Sequence, residues 1–295
     1  MESVWINGQI LPLASATISV EDRGFQFADG VYEVIRIYHG RPFTLDEHLA
    51  RLVRSCEGIQ LAGAFDRAEL NDEITRFIAS SGLVDGMVYV QVTRGAAPRN
   101  HIFPERIEPT ILFYARALPP VPPPGEGPGV KLRGVADERW KRCWIKAIAL
   151  LPNVLAKNTA IAAGADEAAF VEAGIISECS ASNFFAVIGG KIITHPVGPK
   201  VLPGITRLLL SDIANDLGIA FVERPLLEAE ALSAAELFIT STTRELNWVA
   251  EWNGRRVAGA CGPVTRKLHE AYAERVRRET RNDSRSLTAA LSGAI

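Results

Sequence analysis

The sequence predicts an α+β protein of two domains. Three observations carry this: a Pro/Gly-rich interruption near the middle of the chain, hairpin-forming strands on both sides of it, and amphipathic helices among those strands. The interruption, residues 118–129, reads Leu-Pro-Pro-Val-Pro-Pro-Pro-Gly-Glu-Gly-Pro-Gly. Proline removes backbone donors and glycine adds conformational freedom, so neither a helix nor a central strand persists there. It is read as a linker between a small α+β domain, 1–117, and a larger domain, 130–280; 295 residues suit two domains at roughly 100–200 residues each.

In the first domain Val4-Trp5-Ile6 and Gln9-Ile10-Leu11 flank Asn7-Gly8, a dipeptide that accepts positive φ at both corners of a type I′ hairpin. A second hairpin is expected at His39-Gly40. Thr44 and Glu47 have the spacing of a capping box, and Leu45, Leu49, Leu52, Val53, Cys56 and Ile59 then make one apolar helical face, with Arg51 off it. Asp66 opens another helix carrying Leu70, Ile74, Phe77 and Ile78, and Met87–Thr93 and Thr110–Tyr114 read as strands. Beyond the linker, strands are expected at Val130–Val135 and Cys143–Ala149, followed by a helix from an Asn153 cap to about Gly164. Ala173-Gly174 and Gly189-Gly190 turn two more hairpins. A helix opens at Gly204-Ile205-Thr206-Arg207, a strand covers Glu236–Thr240, and a last helix fills Pro263 to Glu279. Residues 281–295 are polar and weakly patterned and are expected to fray.

Charge and cysteine usage narrow the function classes. Thirty-two basic and 34 acidic residues leave a formal charge of −2, without blocks of one sign, so no nucleic-acid or anionic-membrane footprint is expected. The predicted partners are small molecules. Cys56, Cys143, Cys179 and Cys261 are too few and scattered for a disulfide framework and form no Cys-x-x-Cys or Cys/His cluster, which predicts reduced thiols, no metal and a cytoplasmic setting. Neither a leader-like N-terminus nor an apolar run of about 20 residues is seen.

Four features could carry chemistry. Lys146 lies in Arg142-Cys143-Trp144-Ile145-Lys146-Ala147-Ile148-Ala149, a run apolar enough for a buried strand. A buried ammonium loses hydration, tends to neutralise and becomes nucleophilic, as Schiff-base chemistry requires; near a strand end it would instead reach the surface. Pro203-Gly204-Ile205-Thr206, entering a helix, and Thr240-Ser241-Thr242-Thr243, leaving a strand, offer the backbone N–H groups and hydroxyls that favour a phosphate, or else serve as a plain cap and turn. Glu178, at a strand end, could keep a pyridine nitrogen protonated, or be an exposed hairpin glutamate. Arg99 and His101 could clamp a carboxylate, or be surface loop residues. No nucleotide-binding G-x-x-x-x-G-K-[ST] loop occurs.

Five segments in order decide between these alternatives. They are Glu21-Asp22-Arg23-Gly24-Phe25-Gln26-Phe27-Ala28-Asp29-Gly30-Val31-Tyr32-Glu33-Val34, the lysine run with Leu155-Ala156-Lys157 after it, Glu178-x-x-x-Ser182-Asn183-Phe184, Leu202-Pro203-Gly204-Ile205-Thr206-Arg207 and Thr240-Ser241-Thr242-Thr243. Over about residues 1–280 the chain resembles the fold-type IV pyridoxal-phosphate transaminases. The Asp22–Phe27 block and Arg94-Gly95-x-x-Pro98-Arg99-x-His101 are most similar to the D-amino acid transaminases. The resemblance implies a β-barrel-like larger domain with flanking helices, pyridoxal 5′-phosphate as cofactor and a homodimer. It implies that Lys146 is the Schiff-base lysine and proton carrier and that Glu178 partners the pyridine nitrogen. It further implies that Arg51, Ile205, Thr206, Ser241 and Thr242 form the phosphate cup, that Leu202 lies against the ring, and that Tyr32, Arg99 and His101 hold the substrate α-carboxylate, the last two across the dimer interface.

The implied activity is transfer of the amino group of D-amino acids, such as D-alanine or D-glutamate, to 2-oxo acids such as 2-oxoglutarate or pyruvate, by a ping-pong mechanism. R-selective amine and branched-chain L-amino acid transaminases share the cofactor site but would not depend on Arg99 and His101. Aminodeoxychorismate lyase also shares it and would form pyruvate without a second oxo acid, and a cofactor-binding module would show no turnover. Phe25 and Ala28 stand where the D-amino acid enzymes often have Tyr and Gly, and Cys179 where Gly is common; the first two are expected near the pocket.

Overall fold

The computed structural model describes residues 2–106 and 108–280, so the tail expected to fray lies outside the described residues. The first part of the chain runs β1 (Ser3–Ile6), β2 (Gln9–Pro12), α1 (Arg23–Phe27), β3 (Gly30–Tyr38), β4 (Arg41–Pro42), α2 (Leu45–Gly58), α3 (Arg67–Ser81), β5 (Gly86–Thr93) and β6 (Thr110–Ala117). Its strands form one antiparallel sheet in the order β2-β1-β6-β5-β3-β4. Alternation gives each strand two faces. Val31, Ile35 and Ile37 of β3 join Leu49 and Leu52 of α2 and Ile74 and Phe77 of α3 in the core, which leaves Tyr32, Val34, Arg36 and Tyr38 on the opposite face.

The second part runs β7 (Val130–Ala136), α4 (Leu151–Ala162), β8 (Glu167–Glu172), β9 (Ile175–Cys179), β10 (Asn183–Ile188), β11 (Lys191–Thr194), α5 (Ile205–Asp216), β12 (Phe221–Glu223), β13 (Leu226–Leu227), α6 (Glu228–Ala231), β14 (Glu236–Ser241), β15 (Glu245–Trp252), β16 (Arg255–Arg256) and α7 (Pro263–Thr280). A ten-stranded mixed sheet has the order β12-β11-β10-β14-β15-β7-β8-β9-β13, with β16 on β15. β9 also touches β10, far from it in that order, so the sheet curls around a shared core of Leu132, Ile176, Phe184, Ile239, Val249 and Trp252. This is the α+β, barrel-like architecture expected. Among the described residues no helix is long and apolar enough to cross a membrane.

Turn chemistry follows the sequence closely. Asn7, His39 and Ala173 take positive φ before glycines that do the same, and Asp66 caps α3 by accepting from the Glu69 N–H at 2.9 Å. Three expectations need correction. Thr44 sits at φ 55° and spends its hydroxyl on the Phe43 carbonyl, so no capping box forms; the tight exit from β4 forces a left-handed residue there. Asn153 lies inside α4, whose cap is Leu150, because its side chain instead reaches the Ser180 carbonyl at 2.9 Å. Residues 143–149 are not a strand, for a reason given below.

The two sheets are joined by more than the linker. Tyr38 and Phe43, from the β3–β4 hairpin, are buried in a core with Leu209 and Ile213 of α5 and Leu268 and Tyr272 of α7. Tyr38 donates its hydroxyl to the Glu245 carboxylate at 2.6 Å, and His269 Nε2 meets the other oxygen at 3.0 Å. Tyr38→Phe leaves a buried carboxylate oxygen short of a donor and is expected to destabilise by about 1–3 kcal/mol. Thermal and urea unfolding read this, and an unchanged midpoint would contradict the role of the pair.

Candidate active site

Lys146 is placed by a connection, not by a strand. The crossover from β7 to α4 spans the gap between the sheets, and its backbone groups bond to different elements on each side. Cys143 N–H donates to Pro199 O at 2.8 Å and Lys146 N–H to Ser55 Oγ of α2 at 3.2 Å. Tyr32 N–H donates to Lys146 O at 2.9 Å and Ile148 N–H to Gly30 O at 3.1 Å, a single bridge along β3 centred on Val31 and Ala147. With no one neighbour to ladder with, the segment turns. Lys146 is half-buried on the wall of a cavity of about 420 Å³, with its Nζ 4.3 Å from the Tyr32 ring centroid.

One side of this cavity is cationic and rich in donors. Arg51 of α2, off the apolar stripe yet buried, gives Nε and Nη2 to the two oxygens of Glu33 at 2.7 and 2.8 Å, and Nη1 to the Pro203 carbonyl at 2.9 Å. His48 Nδ1 lies 2.7 Å from Glu33 Oε2. Burial alone would raise the Glu33 pKa, but the Arg51 charge and hydrogen bonds, aided by His48, hold it down at about 2. Burial lowers the pKa of His48. Pro203 leads into α5, whose cap, Gly204, has no side chain to occupy the free N–H groups of the first turn, where Ile205 and Thr206 stand. Ser241 and Thr242 face the same space from the end of β14. Among the described residues Thr240 Oγ1 and Ser180 Oγ, buried at the wall, have no hydrogen-bond partner.

The other side holds Glu178. Its Oε1 accepts from Arg139 Nη1 at 2.5 Å, and its Oε2 from Asn183 Nδ2 and the Leu202 N–H, both at 3.0 Å. Burial pushes its pKa up to about 7, against the pull of Arg139. Arg139 is shared with Asp137 through two hydrogen bonds of 2.9 Å and lies 4.0 Å over the Phe170 ring. Because the arginine is divided between two carboxylates, burial prevails at Glu178.

The structure brings Lys146, Glu178, Tyr32, Arg51, Leu202, Ile205, Thr206, Ser241 and Thr242 onto one cavity. It does not bring Arg99 and His101 there. Both are exposed on the loop after β5, Arg99 stacked on Phe27 at 4.4 Å and His101 edge-on to the same ring. Phe25, expected near the pocket, is 78% exposed, and neither it nor Ala28, a left-handed cap at φ 54°, lies on the wall; Cys179 does line it. The sequence did not point to Arg139, Asp137, Glu33 or His48. His48 and Arg51, three apart on one helix, were the available signal for the last pair.

Known proteins resemble this chain closely. The family described as Amino-transferase class IV matches residues 30–252. The D-alanine aminotransferase of Bacillus licheniformis is 38% identical over 278 residues, 94% of this chain and 98% of that one. That of Staphylococcus haemolyticus is 39% identical over 274 residues, 92% and 97% of the two chains. Among solved structures, a branched-chain aminotransferase from Thermoproteus uzoniensis superimposes with a TM-score of 0.84 at 27% identity, covering 94% of this chain and 95% of its own. A 4-amino-4-deoxychorismate lyase from Pseudomonas aeruginosa gives 0.80 at 26% identity, covering 94% and 99%.

Glu33→Gln removes the carboxylate that pairs with Arg51 and is expected to destabilise by about 3–5 kcal/mol at pH 7, as breaking a buried ion pair does. A carboxylate with a depressed native pKa stabilises above its unfolded pKa, and this is lost as pH falls through the native one. The gap between wild type and variant, measured by urea unfolding, should therefore narrow below pH 5 toward pH 2. A gap independent of pH would mean that charge is not what Glu33 supplies.

Proposed function

The chain belongs to the class IV aminotransferases, and from that premise we propose that it is a D-amino acid transaminase using pyridoxal 5′-phosphate, working as a homodimer in the cytoplasm. The observation that carries the reading is the placement of an amine, a carboxylate of raised pKa and an arginine-flanked helix start on different walls of one cavity. D-Alanine aminotransferases at 38–39% identity over more than nine-tenths of the chain support the D-amino acid class. The four unpaired cysteines fit a reducing compartment.

The residues present fit this cofactor. The uncapped first turn of α5 and the hydroxyls of Thr206, Ser241 and Thr242 offer donors to a phosphate, with the Arg51 charge beside them. Ser180 and Thr240 hold spare buried hydroxyls. When bound, pyridoxal phosphate supplies an aldehyde carbon that takes the amino group and a ring that spreads the electrons left when the substrate Cα loses its proton. Lys146 acts first as the amine that anchors and is then displaced, and afterwards as the base that carries a proton from one side of the reacting carbon system to the other. Tyr32 lies under its Nζ and orients it. With the cofactor bound, Glu178, fixed by three donors, would hold a proton at the ring nitrogen, and Leu202 would lie against the ring. Tyr32, Val34, Leu150 and Leu202 give the cavity an apolar wall.

A second copy of the chain would bring Arg99 and His101 to the substrate carboxylate. Val20 at 76%, Phe25 at 78% and Ile102 at 74% exposure flank that loop as apolar surface for such a partner to cover.

Lys146→Ala is expected to abolish turnover and the borohydride-reducible adduct. Near wild-type turnover, or an adduct mapped to Lys141 or Lys157, would remove Lys146 from its role. Charged hydrogen bonds to a desolvated carboxylate are worth about 1.5–3 kcal/mol each. Arg99→Ala should therefore cut kcat/KM for D-alanine with 2-oxoglutarate by roughly 10- to 100-fold while sparing an amine without a carboxylate. Intact D-alanine turnover in that variant, or faster reaction of L-branched amino acids in wild type, would favour the branched-chain or R-amine reading.

A further inference from the structure

The block Asp22–Phe27, part of the sequence resemblance, puts no residue on the wall of the cavity. Its first two residues act elsewhere. Residues 94–109 form the loop between β5 and β6 that carries Arg99 and His101, and Thr93 and Thr110 are the last pair of that ladder. Asp22, 1% exposed, accepts the hydroxyls of both, at 2.9 and 2.6 Å, and caps α1 through the Gly24 N–H at 2.8 Å. A Cβ on Gly24 would lie 2.3 Å from Thr93 Cγ2, so α1 presses against the end of β5 as only glycine permits. The feet of the loop and α1 are one unit.

Arg23 holds the tip. Its Nη1 donates to the Asn100 carbonyl, between Arg99 and His101, at 2.6 Å, and its Nε to Asp29 Oδ2 at 2.9 Å. Arg94 fixes Asp29 in turn, with Nε and Nη2 on its two oxygens at 2.8 and 3.0 Å, and also binds the carbonyls of Ile59 and Gln60 at the end of α2. Among the described residues, the Arg23 hydrogen bond is the one that reaches residues 98–103 from outside the loop. Ring contacts supply the rest: Arg94 lies 3.7 Å over Phe103, while Arg23 at 4.8 Å, Arg99 at 4.4 Å and the edge of His101 at 5.5 Å share the Phe27 ring. Two guanidiniums on one ring repel, and Asp29 offsets the charge of the inner one.

We propose that Arg23, held by Asp29, is a positioning residue for the carboxylate clamp: it fixes the carbonyl between Arg99 and His101, so that both side chains meet the substrate carboxylate already in place. This rests on the reading of that pair as the clamp and adds the residues that set its geometry. An exposed loop tip without the anchor would have to be ordered each time substrate binds, and that cost would appear in KM. The fork of an arginine is what the position needs, because one group must bind Asp29 on one side and a backbone carbonyl on the other. Arg23 makes and breaks no bond and acts only through the loop.

The test is a double-mutant cycle on the holoenzyme, joined to a measurement on the loop itself. Arg23→Lys keeps a cation for Asp29 but cannot also hold the Asn100 carbonyl. It is expected to lower kcat/KM for D-alanine with 2-oxoglutarate about tenfold, mostly by raising KM, and to lower it by no more than about twofold in a protein already carrying Arg99→Ala and His101→Ala. The same loss in both backgrounds would make Arg23 a general structural residue and overturn the proposal, as would no loss in either. Hydrogen exchange gives the second readout: amides of residues 99–103 should exchange at least about tenfold faster in Arg23→Lys than in wild type while those of β3 keep their rates. Equal exchange in the loop overturns the proposal. Should Arg23→Lys not fold, Asp29→Asn takes its place in both measurements with the same expected results. If Arg99→Ala with His101→Ala leaves D-alanine turnover intact, the clamp reading fails and the kinetic part of the proposal with it; the exchange rates distinguish that failure from a loop that Arg23 does not hold.

Discussion

The buried Glu33 carboxylate is the constraint from which the rest of the site follows. It is fully enclosed, it stays ionised because Arg51 and His48 enclose it, and it fixes Arg51 in one orientation by a two-pronged contact. That orientation turns the remaining guanidinium nitrogen toward Pro203, the residue leading into α5. A strand of the smaller sheet, a helix packed on it and the uncapped helix start of the larger sheet are thus locked by one acid. Without the acid the arginine would be a long, flexible cation beside the start of α5. With it, the cation is preorganised.

A second buried acid is handled in the opposite way. Glu178 also has an arginine, but Arg139 is divided with Asp137, and desolvation wins at Glu178. One carboxylate is thereby held firmly charged and the other is left near the point of proton exchange, although both are deep in the same interface. The difference lies in how many acids share each guanidinium. Depth of burial does not distinguish them.

Much of this is legible in the sequence wherever the determinant is local. Paired positive-φ turns at Asn7-Gly8, His39-Gly40 and Ala173-Gly174, the Asp66 cap and the apolar stripe of α2 each act within a few residues, and the structure follows them. The motifs at Lys146, Glu178, Gly204-Ile205-Thr206 and Ser241-Thr242 converge on one cavity. What the sequence hides is set by distance. The 143–149 run has a strand's composition, but its neighbours are Ser55, Pro199 and β3, three elements that no local pattern brings together. Arg139 sits in an unpatterned loop and reaches the cavity's carboxylate, Glu178, 39 residues away. Thr44 fits a capping box by spacing and fails because the hairpin before it dictates its φ.

The intrusion of the β3–β4 hairpin into the far core bears on how the chain folds. Tyr38 and Phe43 belong by sequence to the first half and by packing to the cluster of α5 and α7, residues that are synthesised more than 160 positions later. A ribosome that has released only the first half leaves both aromatics, and the face of β3 beside them, in water. Contacts between the two halves therefore reach beyond the proline-rich segment that joins them. The β3–β4 hairpin gains its full burial only when α5 and α7, the last described helix, have packed around Tyr38 and Phe43, and a chain cut at the linker would lose those contacts.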